Sequence, residues 1–103
     1  SDRRSRRRSV SETTVERRLI KKVKEAGGSC IKIMPSVAGY PDRLVLLPPG
    51  RMFLIETKAD AKKVLRPAQR IFKARAERIG VPVAVLHTTP EVDAWIAEKT
   101  EGA

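Results

Sequence analysis

Apolar residues along the chain recur first at helical spacing, then at strand spacing, and then alternate between the two. Val15, Leu19, Val23 and Ala26, widened by Ile20, make the stripe of an amphipathic helix that Thr13 begins as N-cap and Gly27-Gly28 ends. A short strand is expected over 29–34, with Ile31 and Ile33 on one face and Cys30 and Lys32 on the other. A loop over 35–40 leads into a hairpin. Its strands, Leu44-Val45-Leu46-Leu47 and Met52-Phe53-Leu54-Ile55, are apolar on both faces, which predicts a sheet covered on both sides. After a loop over 59–66, Pro67 opens a helix with Ala68, Phe72, Ala76 and Ile79 on its buried face, and Gly80 stops it. A fourth strand over 82–86 follows, and the strand, helix, strand crossover makes it parallel to the one before. Thr89 and Pro90 then start a last helix, with Val92, Trp95 and Ile96 as its apolar side. The reading is α/β: helix, three strands, helix, strand, helix, around a mixed four-stranded sheet with helices on both faces.

The hairpin brings two acids together. If Pro48-Pro49-Gly50 is a three-residue loop with Gly50 in the left-handed position, paired residues sum to ninety-eight and Asp42 lies across from Glu56, with Cβ atoms about 5 Å apart. A two- or four-residue loop sends the acids to opposite faces unless a bulge restores the register. Glu56 and Lys58 share a face and Thr57 points away. Two close carboxylates suit a hard divalent cation such as Mg²⁺, and an adjacent ammonium can steady developing negative charge or orient a nucleophile. That is the pattern of metal-assisted phosphodiester hydrolysis. The competing reading of Glu-x-Lys alone is a surface ion pair at a strand end.

Composition narrows the partners. The 103 residues allow one modest core, divided here into a disordered basic tail over 1–10 and a single domain over 11–103. The Arg-rich tail is either an arm along phosphates or simply solvated. Lys and Arg outnumber Asp and Glu by 22 to 12, a formal +10, which favours a polyanion and above all nucleic acid. Aromatics are only 4%, so base stacking is not expected to drive binding. No apolar run is long enough for a membrane span, and the single Cys30 suits a reducing, intracellular, cytoplasmic setting. One His and one Cys exclude an ordinary zinc site, and the lone His87 reads as structural.

Gly39-Tyr40-Pro41-Asp42-Arg43 ahead of the hairpin, Glu56-Thr57-Lys58 after it and Gln69 beyond together resemble the virus-type replication-repair nuclease (VRR-NUC) family of the PD-(D/E)xK superfamily. The resemblance implies a restriction-endonuclease-like core and a Mg²⁺- or Mn²⁺-dependent DNA endonuclease. It implies catalytic roles for Glu16, Asp42, Glu56, Lys58 and Gln69, and a metal held by Asp42, Glu56 and the Thr57 carbonyl. Glu16 would add a further ligand or a water-mediated acid, although Thr13-x-x-Glu16 also reads as a capping box. Gln69 would bond the nucleophilic water or orient a neighbour. The resemblance further implies a homodimer acting on branched or flapped DNA in replication, repair or recombination. Arg43, Lys62, Lys63 and Arg66 are the candidate DNA contacts, set against solvated loop charges. Two rival readings remain: a non-catalytic basic nucleic-acid-binding module, and a sequence-specific restriction-type nuclease on the same core.

Overall fold

The computed structural model describes residues 2–34, 36–59 and 64–101, with side chains described from residue 13 onward. The elements run α1 (Asp2–Glu25), β1 (Ser29–Lys32), β2 (Arg43–Leu47), β3 (Arg51–Thr57), α2 (Pro67–Arg78), β4 (Val83–Leu86) and α3 (Thr89–Thr100). This is the expected order. The sheet order is β1-β2-β3-β4, antiparallel across the first two junctions and parallel between β3 and β4. The expected tail over 1–10 falls where side chains lie outside the described residues.

The hairpin has the expected odd loop. Leu47 pairs with Arg51 and Arg43 with Ile55, so every pair sums to ninety-eight. Gly50 has φ +68°, the left-handed conformation that a glycine adopts without penalty. The Pro48–Pro49 peptide bond is cis.

One face of the sheet carries the core. Val45, Leu47, Ile55 and Leu86 pack with Val15, Leu19 and Val23 of α1 and with Val92 and Ile96 of α3. Cys30 joins this layer, and Phe53 meets Trp95 edge-on with ring centroids 5.2 Å apart. Asp93 of α3 accepts both Arg18 guanidinium bonds from α1, each at 2.8 Å. On the opposite face α2 buries Ala76, and Val83 beside it pairs with Leu54.

Three expectations change here. The second face is only partly covered, because α2 lies toward β4 and leaves Met52 69% and Ile31 43% exposed. Ile79 is 79% exposed, since it follows the end of α2 at Arg78 and caps the helix instead of packing beneath it. The last helix is capped by Thr88, whose hydroxyl accepts the Glu91 N–H at 3.2 Å, one residue earlier than the Thr89 cap expected.

Candidate active site

The first expected acid is anchored from two sides. β2 begins at Arg43, and Pro41 before it has no N–H to continue the ladder. The Asp42 carbonyl accepts the Ile33 N–H at 2.9 Å, which ties its backbone to the end of β1. Its carboxylate turns to β3. The Thr57 N–H donates to Oδ1 at 3.2 Å and to Oδ2 at 3.3 Å, and the Thr57 hydroxyl donates to Oδ2 at 2.6 Å. Thr57 itself is 2% exposed, so this donor pair is rigid.

Glu56 is also buried, and its register sets it opposite Asp42, one step beyond the Arg43–Ile55 pair. Lys58 continues the strand path past Thr57 and donates its N–H to the Leu86 carbonyl at 2.9 Å. Alternation then turns its side chain to the face of Glu56. Lys58 Nζ donates to Gln69 Oε1 at 2.8 Å, and the same oxygen accepts the Arg66 N–H at 2.8 Å. Gln69 thus closes the first turn of α2 and holds the lysine with one atom. Here the Arg66 start of α2, which lacks a hydroxyl cap, is served by the glutamine at the third helical position.

Glu16 does not cap a helix, because α1 runs through Thr13. Its Oε2 accepts from Arg43 Nη2 at 2.5 Å. Arg43 is only 8% exposed, which corrects its expected place among the DNA contacts: the strand's alternation turns it away from Asp42 and under α1. Arg66 is exposed, while Lys62 and Lys63 lie outside the described residues. Gly39, with φ +95°, packs against the first turn of α2 so closely that a Cβ there would stand 2.5 Å from the Ala68 carbonyl. Tyr40 of the same loop meets Phe72 edge-on at 5.3 Å. The glycine serves a close approach of backbone to helix.

Burial pushes the Asp42 carboxyl above the ordinary aspartate range, the Thr57 bonds pull it back, and Glu16 and Arg43 act in opposite senses. Among the described residues no cationic side chain forms an ion pair with Asp42. A half-buried carboxylate fixed by donors and lacking a direct cationic partner suits an oxygen-seeking divalent ion. Among the described residues no group of three or more His, Cys, Asp and Glu side chains gathers for a metal.

Three features escaped the sequence reading. The Thr57 hydroxyl donates to Asp42 at 2.6 Å. The Glu16–Arg43 pair joins α1 to β2. Glu91, four residues after His87, accepts its backbone N–H at 2.7 Å and meets its ring nitrogen at 3.1 Å. That contact ties His87 to the first turn of α3. A concavity of about 650 Å³ lined by Lys22, Ala26, Pro48, Pro49, Arg51 and Ile96 lies at the hairpin-loop end, away from the acids.

No family model matches the chain. A protein of Acyrthosiphon pisum secondary endosymbiont phage 1, described as "Putative nuclease p44", is 38% identical over 80 residues, covering 77% of this chain and 85% of that protein. A solved structure described as a VRR_NUC domain superposes with a TM-score of 0.79 at 29% identity, covering 84% of this chain and 94% of the other. Both likenesses span the stretch that holds the two acids, the lysine and most of the sheet. With this fold and this sequence relationship, the chain belongs to the VRR-NUC family of the PD-(D/E)xK superfamily.

Proposed function

We propose that the protein is a divalent-metal-dependent DNA endonuclease that hydrolyses phosphodiester bonds, with Asp42, Glu56 and the Thr57 carbonyl holding Mg²⁺ or Mn²⁺. The observation that carries this is the register: continued one step past the Arg43–Ile55 pair, it sets the backbones of Asp42 and Glu56 opposite each other at the sheet's end, beside a lysine that Gln69 holds in place. When bound, the ion supplies Lewis acidity to the scissile phosphate and to the attacking water. The chain's own residues do the rest. The Lys58 ammonium offers positive charge to the phosphate oxygens as negative charge develops, and Gln69 fixes where that ammonium sits. Glu16 acts through Arg43, balancing a buried guanidinium on the far side of Asp42.

The substrate follows from charge and shape. The formal +10 favours a nucleic-acid backbone, and exposed Arg66 and Arg70 flank the α2 end of the site. A domain over 11–103 has little surface with which to cradle a junction alone. Exposed Ile31 and Met52 on the partly uncovered sheet face are apolar surface that a second copy can bury in a homodimer.

The test is cleavage of supercoiled plasmid and of a panel of branched and linear oligonucleotides with Mg²⁺, with Mn²⁺ and with EDTA. Wild type cuts only with a divalent ion and prefers the branched substrates, whereas Asp42→Ala binds DNA and leaves it intact. Equal cutting by wild type and Asp42→Ala, or cutting in EDTA, removes the proposal. Sedimentation of the full chain at increasing concentration checks the dimer.

A further inference from the structure

We propose that Thr57 is a positioning residue for Asp42, aligning that carboxylate with the residue's own backbone carbonyl so that both metal ligands are set by one buried side chain. This rests on the reading of Asp42 as a metal ligand given above.

The reason begins with the strand. Pro41 removes the ladder donor that would hold the start of β2, so Asp42 lies just outside the regular pairing and its side chain has no strand geometry to fix it. Thr57 fills the gap with two donors. Its N–H reaches both carboxylate oxygens and its hydroxyl reaches Oδ2 at 2.6 Å. A hydrogen bond this short from a hydroxyl to a charged acceptor is of the stronger kind, and it locks the carboxylate's rotation. An ionised carboxylate has about four lone-pair directions, so these bonds leave capacity for a cation. The hydroxyl can do this only because residue 57 is 2% exposed and cannot rotate into water. Asp42 and the Thr57 carbonyl therefore move together or not at all. Groups that orient a metal ligand in this way affect metal affinity by about 10- to 100-fold.

The experiment measures Mn²⁺ binding to the protein by the loss of the free-ion electron paramagnetic resonance signal. Melting temperature in EDTA is recorded for each variant alongside. Thr57→Val keeps the shape and removes the hydroxyl, and Thr57→Ser keeps the hydroxyl and removes the methyl. The expected result is an Mn²⁺ affinity about 10- to 100-fold weaker for Thr57→Val and within about threefold of wild type for Thr57→Ser. If Thr57→Val does not fold, Thr57→Ala carries the same comparison by deleting atoms instead of exchanging them. Wild-type affinity in the valine or alanine variant overturns the proposal. So does equal weakening in Thr57→Ser, which would assign the effect to packing of the methyl, and so does failure of both hydroxyl-less variants to fold. Absence of Mn²⁺ binding by wild type would instead bring down the nuclease reading, and this inference with it.

Discussion

At the scale of single residues, Asp42 is held where burial disfavours its charged form. Burial is the largest influence on its carboxyl and raises it above the ordinary value near 4. For an acid whose pKa is higher in the folded state, the native protein prefers the protonated form. Its favourable contribution is fully present below the unfolded pKa and is lost as pH rises through the folded one. At neutral pH without metal, the charge is thus a liability. Asn is nearly isosteric, and its amide oxygen can still accept from Thr57. Asp42→Asn is expected to melt at or above the wild-type temperature at pH 7 in EDTA, with the difference closing toward pH 4. Differential scanning fluorimetry across that range checks it. A clearly lower melting temperature for the variant at pH 7 would mean that Asp42 is a structural acid rather than one kept for a cation.

At the scale of elements, the site is a meeting of the β3 end with the first turn of α2, joined through Gln69. Its Oε1 serves Lys58 and the Arg66 N–H at once. Gln69→Ala is expected to lower stability by about 1 kcal/mol, as for loss of a helix-end partner, in urea unfolding. It should also reduce kcat by about 10- to 100-fold with little change in KM, as the lysine loses its fixed place. An unchanged kcat would show that Lys58 finds its position without α2.

Element order and hairpin register were legible from the sequence, because strand alternation and a Gly-ended three-residue loop have few solutions. Continued one step past the Arg43–Ile55 pair, that register sets the backbone of Asp42 opposite Glu56. What pattern could not supply was the direction of side chains at element ends. Asp42 lies one residue outside β2, so alternation no longer dictates where its carboxylate turns, and the Thr57 contact could not be foreseen. The Thr13 cap failed for a related reason: Thr-x-x-Glu fits a helix start and a helix interior equally well, and only the course of α1 decides. Coverage of the second sheet face was overestimated because apolar strands report that a face can be buried, while the position of α2 determines how much of it is.

For the whole molecule, the dominant fact is the charge excess of 22 basic over 12 acidic side chains. Each phosphate contact made by a lysine or arginine releases condensed counterions, so affinity for duplex DNA falls with salt at a slope set by the number of contacts. Arg43 is withdrawn from that number by its burial against Glu16. Lys62, Lys63 and Arg66 remain the candidates next to the site in sequence. Replacing all three by Ala is expected to weaken binding about equally across DNA sequences and to reduce the slope of log affinity against log salt by about 3. Arg43→Gln is expected to leave the slope unchanged, because its guanidinium reaches an acid and not a phosphate. Fluorescence anisotropy between about 50 and 200 mM salt, in EDTA to prevent cutting, measures both. A slope that drops with Arg43→Gln and not with the triple variant would move the DNA path away from the α2 side and under α1.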